Sequence, residues 1–163
     1  MKNLLKNLCL AAAVFSGMCA PALHAQLATK KALTLEAAKK IAAVAEAEAA
    51  KNKWTMVIAI VDDGGNLLFL ERMDGTQLGS IEVATLKAKT SLRFKRPTKA
   101  FEDAVMKDGR SVVMTLPDVV TVEGGLPLVV DGVPIGAIGI SGMTSAQDGV
   151  VAKAATDAFA QMQ

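Results

Sequence analysis

Gly124-Gly125-Leu126-Pro127-Leu128-Val129-Val130-Asp131-Gly132-Val133-Pro134-Ile135-Gly136-Ala137-Ile138-Gly139-Ile140-Ser141-Gly142 is the stretch on which the fold turns. Two apolar runs, Leu126–Val130 and Val133–Ile140, flank Asp131-Gly132, and two residues of that type between apolar runs are a strong signal for a β-hairpin. A second hairpin lies upstream. Trp54–Val61 reads as a buried strand, Asp62-Asp63-Gly64-Gly65-Asn66 as a turn, and Leu67–Arg72 as the returning strand. Around the hairpins the apolar spacing becomes helical. Thr34 is placed to cap a helix through Leu35, Ala38, Ile41, Ala42, Ala45 and Ala49, and Ser80 to cap one through Ile81, Ala84, Ala88 and Leu92 that Pro97 ends. Thr98 opens a shorter helix that closes near Gly109, and Ser145 caps a last one from Ala146 to Met162. Between them, Val112–Met114 reads as a short extended segment and Val119–Val122 as a further strand. The order is α-β-β-α-α-β-β-α. Hairpins separated by helices predict an α+β domain with a single antiparallel sheet flanked by helices, since parallel neighbours need a crossover between successive strands.

The chain has 163 residues, a length that suits one domain. Its 52% hydrophobic and 21% charged residues exclude a disordered polymer. At the N-terminus, Lys2 and Lys6 precede an apolar run from Leu8 to Phe15, then Pro21-Ala22-Leu23-His24-Ala25, the three-part pattern of a secretory signal. The run is shorter than the roughly 20 residues that span a bilayer. We expect residues 1–25 to be removed after Ala25, leaving 26–163 as a single domain in the periplasm or outside the cell. Removal takes away Cys9, Cys19 and His24, all the cysteine and histidine of the chain, and Lys2 and Lys6 account for its formal charge of +2. The remaining neutral domain carries no concentrated basic face, so nucleic acid is not an expected partner.

Those losses exclude much chemistry. A Ser-His-Asp triad, a cysteine nucleophile and the common Cys/His zinc site are all closed to residues 26–163. Of the usual axial ligands of haem, only methionine remains, with Met73 and Met114 the candidate metal ligands. Arg72-Met73-Asp74-Gly75 ends a strand, where Arg72 and Asp74 can meet a ligand at a sheet rim. Lys87, Lys89, Arg93, Lys95 and Arg96 form a basic cluster in and beyond the second helix, read either as a solvated face or as an anion site. Gly124-Gly125 can expose backbone N–H groups to a ligand or simply make a tight turn. Ser145-x-x-Asp148 resembles a capping box. The acidic Asp62–Asn66 turn lacks the spacing and closing Glu of an EF-hand.

The ordered set Val61-Asp62-Asp63-Gly64-Gly65-Asn66-Leu67, Arg72-Met73-Asp74-Gly75, Lys87-Ala88-Lys89 with Pro97-Thr98, Gly124-Gly125-Leu126-Pro127, Gly136–Gly142 and Gln147-Asp148 resembles the GlcG/HbpS family. It also looks like the C-terminal domain of PduO-type cobalamin adenosyltransferases. The resemblance runs from about Thr34 to Phe159. It implies an antiparallel sheet of about five strands, assembly into homo-oligomers, and binding of haem, with haem degradation or redox sensing beside a membrane sensor kinase proposed for some members. The chain departs from the family pattern at Gly149, where an acidic residue commonly follows the Asp. The expected function is an exported, oligomeric binding protein for haem or a related tetrapyrrole. Arg72, Asp74, Lys87, Arg93, Thr98, Gly124 and Gly125 are the candidate ligand-binding residues. The alternatives are an enzyme acting on a small carboxylate or hydroxy acid, with Asp74, Asp148 or Lys87 moving protons, and an accessory partner of a membrane sensor.

Overall fold

The structure, a computed structural model, describes residues 28–163, of which Lys31–Gln163 form one compact unit. The expected signal segment and its cleavage point lie outside the described residues. Four helices, four strands and one short 3-10 helix follow in the order α1 (Leu35–Lys51), β1 (Val57–Asp62), β2 (Leu67–Arg72), α2 (Gly79–Phe94), α3 (Lys99–Met106), the 3-10 helix (Ser111–Thr115), β3 (Gly125–Val130), β4 (Val133–Ser141) and α4 (Ser145–Gln161). The strands make one antiparallel sheet in the order β2-β1-β4-β3. Among the described residues no helix is long and apolar enough to cross a membrane.

Both hairpins follow from their turns. Asp131 and Gly132 have φ of 50° and 77°, the paired positive angles of a type I′ turn, whose twist matches that of the flanking strands. At the other hairpin the Asp62 carboxylate accepts from the backbone N–H groups of Gly64 (2.9 Å) and Asn66 (2.8 Å), so the turn consumes that acid's acceptor capacity. Alternation along β1 then sorts the core. Ile58 and Ile60 join Ile138, Ile140 and Leu128 beneath α1 and α4, whereas Val57, Ala59, Val61 and Ala137 face α2. Helices therefore cover both faces. On the α2 side the register row Leu70–Ala59–Gly139–Gly125 shrinks to bare backbone, and a Cβ at Gly139 would lie 2.6 Å from the Ala88 amide nitrogen. That lack of volume lets α2 lie directly on β3 and β4.

Four local expectations change. The sheet has four strands rather than about five, because Val119–Val122 stays irregular: Asp118 takes φ 55° and the Val120 N–H donates to the Thr90 hydroxyl (3.1 Å) instead of to a strand. Val112–Met114 lies in the 3-10 helix, not in an extended segment. Two caps also shift. Ser80 sits inside the first turn of α2, where its hydroxyl accepts from Ser141 (3.2 Å), and α4 is capped by Thr144 with Gln147 as the reciprocal partner, not by Ser145 with Asp148. This last shift by one residue frees Asp148 for another use.

Candidate functional site

Lys87 lies on α2, on one face of the sheet, and Asp148 on α4, on the other. They meet at the end of the sheet where β3 begins. Lys87 Nζ donates to Asp148 Oδ2 (2.7 Å) and to the Ile140 carbonyl (2.9 Å), with side-chain exposures of 1% and 3% for the two residues. The other carboxylate oxygen, Oδ1, accepts from the Met143 N–H (3.1 Å). Burial pushes the Asp148 carboxyl above its ordinary range, opposed by the Lys87 ammonium and the backbone donors of Met143 and Gly142.

Gly124 closes this pair from outside. Its φ is 124°, and a Cβ there would stand 2.7 Å from the Ile140 oxygen and 2.9 Å from both Asp148 Cβ and Lys87 Nζ. Only glycine combines that backbone angle with that proximity. Its carbonyl accepts from Ile140 N–H (2.9 Å), so Gly125, next along, turns its polar groups outward. Thr98 takes both of them: its hydroxyl accepts from Gly125 N–H (2.9 Å), and its own N–H donates to the Gly125 carbonyl (3.0 Å).

Outside this seam lies an open groove of about 350 Å³, lined by Pro97 and Lys99 on one side, Glu123, Gly124, Gly125 and Leu126 on the floor, and Gly149, Lys153, Thr156 and Asp157 of α4 on the other. Gly149 has a specific role here. A Cβ on it would come within 2.7 Å of Glu123 Cδ, so the helix interior is left bare to admit the Glu123 carboxylate. Burial raises the Glu123 carboxyl, countered by the charge of Lys99. Glu102 is also raised by burial, but the Glu123 N–H (2.8 Å) and Lys99 outweigh that and hold it below its ordinary range. Lys99 bridges Glu102 (3.2 Å) and Asp103 (2.5 Å), and Lys153 pairs with Asp157 (2.5 Å). Among the described residues no three His, Cys, Asp or Glu side chains are grouped to hold a metal ion.

The structure thus brings Lys87, Thr98, Gly124 and Gly125 together, with Asp148, around one seam. The remaining candidates lie elsewhere. Arg72 ends β2, at the opposite edge of the sheet, three strand spacings or about 14 Å from β3. Its guanidinium donates to the Thr76 carbonyl (3.0 Å), and Asp74 is exposed in the turn between them. Arg93 pairs with Asp118 on the surface (3.4 Å). Met73 packs half-buried against the core beneath α1, Met114 is 56% exposed on the 3-10 helix, and neither lines the groove. Sequence reasoning missed Lys99, Glu123 and Lys153. Gly149 was the available signal, since an interior helical glycine costs about 1 kcal/mol and implies a close approach.

The family model for haem degrading protein HbpS-like matches residues 33–157. The chain belongs to the HbpS-like family. Protein GlcG of Escherichia coli (strain K12) is 44% identical over 113 residues, covering 69% of this chain and 84% of that protein. Among solved structures of HbpS-like fold, Klebsiella pneumoniae protein ORFY superposes with a TM-score of 0.77 at 30% identity, covering 85% of this chain and 99% of that one. The PduOC:heme complex superposes with a TM-score of 0.71 at 32% identity, covering 78% and 95%. The α+β architecture of this HbpS-like chain is therefore shared with its relatives.

Proposed function

We propose that this chain is a ligand-binding member of the HbpS-like family that takes haem or a related tetrapyrrole in the groove along β3. The observation that carries the reading is the floor: Gly124 and Gly125 present bare backbone beside Leu126 and Glu123, with an ammonium group on either wall. A planar ring needs the first and its carboxylates the second. The PduOC:heme complex, built on the same fold, supports the choice of ligand. Lys99 and Lys153 would hold the propionates, Leu126 and Pro97 the ring edge. When bound, haem supplies a redox-active iron. No imidazole, thiolate or phenol exists in residues 26–163 to ligate it, so the grip falls on the ring and its carboxylates.

Titrating the purified protein with hemin and following the Soret band tests this. A saturable shift is expected, weakened about tenfold or more in Lys99→Gln/Lys153→Gln, in line with the loss of charge-assisted bonds. No saturable shift, or an unaltered double variant, rejects the groove. The enzymatic alternative is disfavoured by one feature: Lys87 and Asp148, two of its three proton carriers, are sealed beneath Gly124.

Export and assembly belong to the same proposal. The leader pattern of residues 1–25 supports export, and N-terminal sequencing of secreted product should read from Gln26. A self-associated form is expected by sedimentation. Contact with a membrane sensor rests on the family resemblance and is tested by pull-down from envelope fractions with and without hemin.

A further inference from the structure

The basic cluster beyond α2 remains unused by the groove, and part of it borders a second cavity. After Phe94 the chain turns through Lys95 (φ 52°) into α3, then through Gly109 into the 3-10 helix. These pieces close a small core of their own, in which Phe101, Ala104 and Val113 are buried against Phe94, Val105 and Val119. The Phe94 and Phe101 rings meet edge to face at 5.1 Å. Beside them opens a cleft of about 230 Å³ whose apolar wall includes Phe94, Phe101, Val113 and Leu116 and whose charged lining residues are Arg96 and Arg110. None of these residues lines the groove along β3.

The Arg96 side chain and the Arg110 backbone are held in place, and neither guanidinium is neutralised. Arg96 Nε donates to the Phe94 carbonyl (3.2 Å), and its guanidinium carbon lies 5.8 Å from the Phe101 ring centroid, which fixes the plane and leaves its terminal amino groups for another acceptor. The Arg110 backbone is pinned by its N–H on the Ala104 carbonyl (2.8 Å) and by the Val113 N–H on its own carbonyl (3.2 Å). Two acids of this region are committed elsewhere, Asp118 to Arg93 and Asp103 to Lys99 and Lys107. Among the described residues neither guanidinium is paired with a carboxylate. Two like charges at one apolar cleft repel until an anion stands between them, and a guanidinium fork fits a carboxylate best.

We propose that this cleft binds a small monocarboxylate with a short apolar tail, its carboxylate held by Arg96 and Arg110 and its tail laid on Phe101, Val113 and Leu116. The volume, below the roughly 300 Å³ of drug-sized pockets, restricts the tail to a short one. The site does not depend on the tetrapyrrole reading.

The test is titration of the ¹⁵N-labelled protein with hexanoate, acetate and hexanol, following the backbone amides of residues 94–116 and the Nε–H signals of both arginines. Hexanoate should give saturable shifts confined to that segment. Acetate should bind at least tenfold more weakly, since each buried methylene is worth about fourfold. Arg96→Gln and Arg110→Gln should each weaken hexanoate about tenfold, and Arg110→Lys, which keeps the charge but not the fork, should also weaken it. Both arginines are exposed, so the variants should keep the wild-type dispersion. Hexanol binding as tightly as hexanoate would overturn the proposal. So would shifts centred on Gly124, or unchanged affinity in the Arg110→Gln protein.

Discussion

Gly124 carries more constraint than any other single position in the site, because its backbone angle and its neighbours both exclude a side chain. Gly124→Ala should lose about 3 kcal/mol of stability in urea unfolding, from strain at positive φ together with a Cβ pressed on the Ile140 oxygen. The pair beneath it makes a different prediction. Lys87→Met leaves a buried carboxylate without its cation and should cost about 3–5 kcal/mol at pH 7, whereas Lys87→Met/Asp148→Leu should recover most of that. The sign of the pH dependence follows from burial. Without Lys87 the Asp148 carboxyl, already raised in the folded state, rises further above its unfolded value. Its stabilising contribution is then full below that unfolded value and lost as pH rises through the folded one. The penalty in Lys87→Met should therefore shrink as urea midpoints are measured at progressively lower pH, and a penalty independent of pH would count against a buried charge. Lys87 and Gly124 were legible as candidates in the sequence. Their meeting was not, because reading Ser145 as the cap of α4 assigned Asp148 to the helix start, whereas Thr144 caps the helix.

At the level of elements, the outer edge of β3 is closed at three successive outward positions. Thr98 occupies both polar groups of Gly125, Pro127 has no N–H to offer, and the Gln163 side chain donates to the Val129 carbonyl (2.9 Å). Thr98→Val removes the hydroxyl that satisfies a buried N–H, at a cost of about 1–3 kcal/mol. Native-state hydrogen exchange should show the Gly125 amide losing protection while the amides of β1, at the centre of the sheet, keep theirs. Equal loss along both strands would mean that Thr98 supports the whole sheet and not its edge. Elements whose turns dictate them were readable: Asp131-Gly132 and the Asp62–Asn66 loop each specify a hairpin from local chemistry alone. Val119–Val122 was not, although its composition suits a strand. Asp118 turns left-handed just before it, and Thr90, about thirty residues upstream, claims the Val120 N–H, a tertiary contact that no local pattern announces.

For the whole molecule, the distribution of the core sets the expectation. Among the described residues, every buried hydrophobic lies between Leu33 and Phe159, and the Lys87–Asp148 bridge ties α2 on one face of the sheet to α4 on the other. Opposite layers joined through a buried charge pair cannot come apart one at a time without exposing an uncompensated ion, which favours a single cooperative transition. If residues 1–25 are the removable leader that Lys2, Lys6, the apolar run and Pro21–Ala25 suggest, a chain beginning at Gln26 should unfold in urea with the same midpoint and the same denaturant slope as the full chain, since the slope reports the surface exposed on unfolding. A smaller slope would show that residues 1–25 bury area in the folded protein, and the reading of that segment as a removable leader would fail with it. Unchanged slope and midpoint, together with secreted product starting at Gln26, would make residues 26–163 the working protein. Its ligand chemistry would then have to come from lysines, arginines, carboxylates and backbone, because His24, Cys9 and Cys19 would leave with the leader.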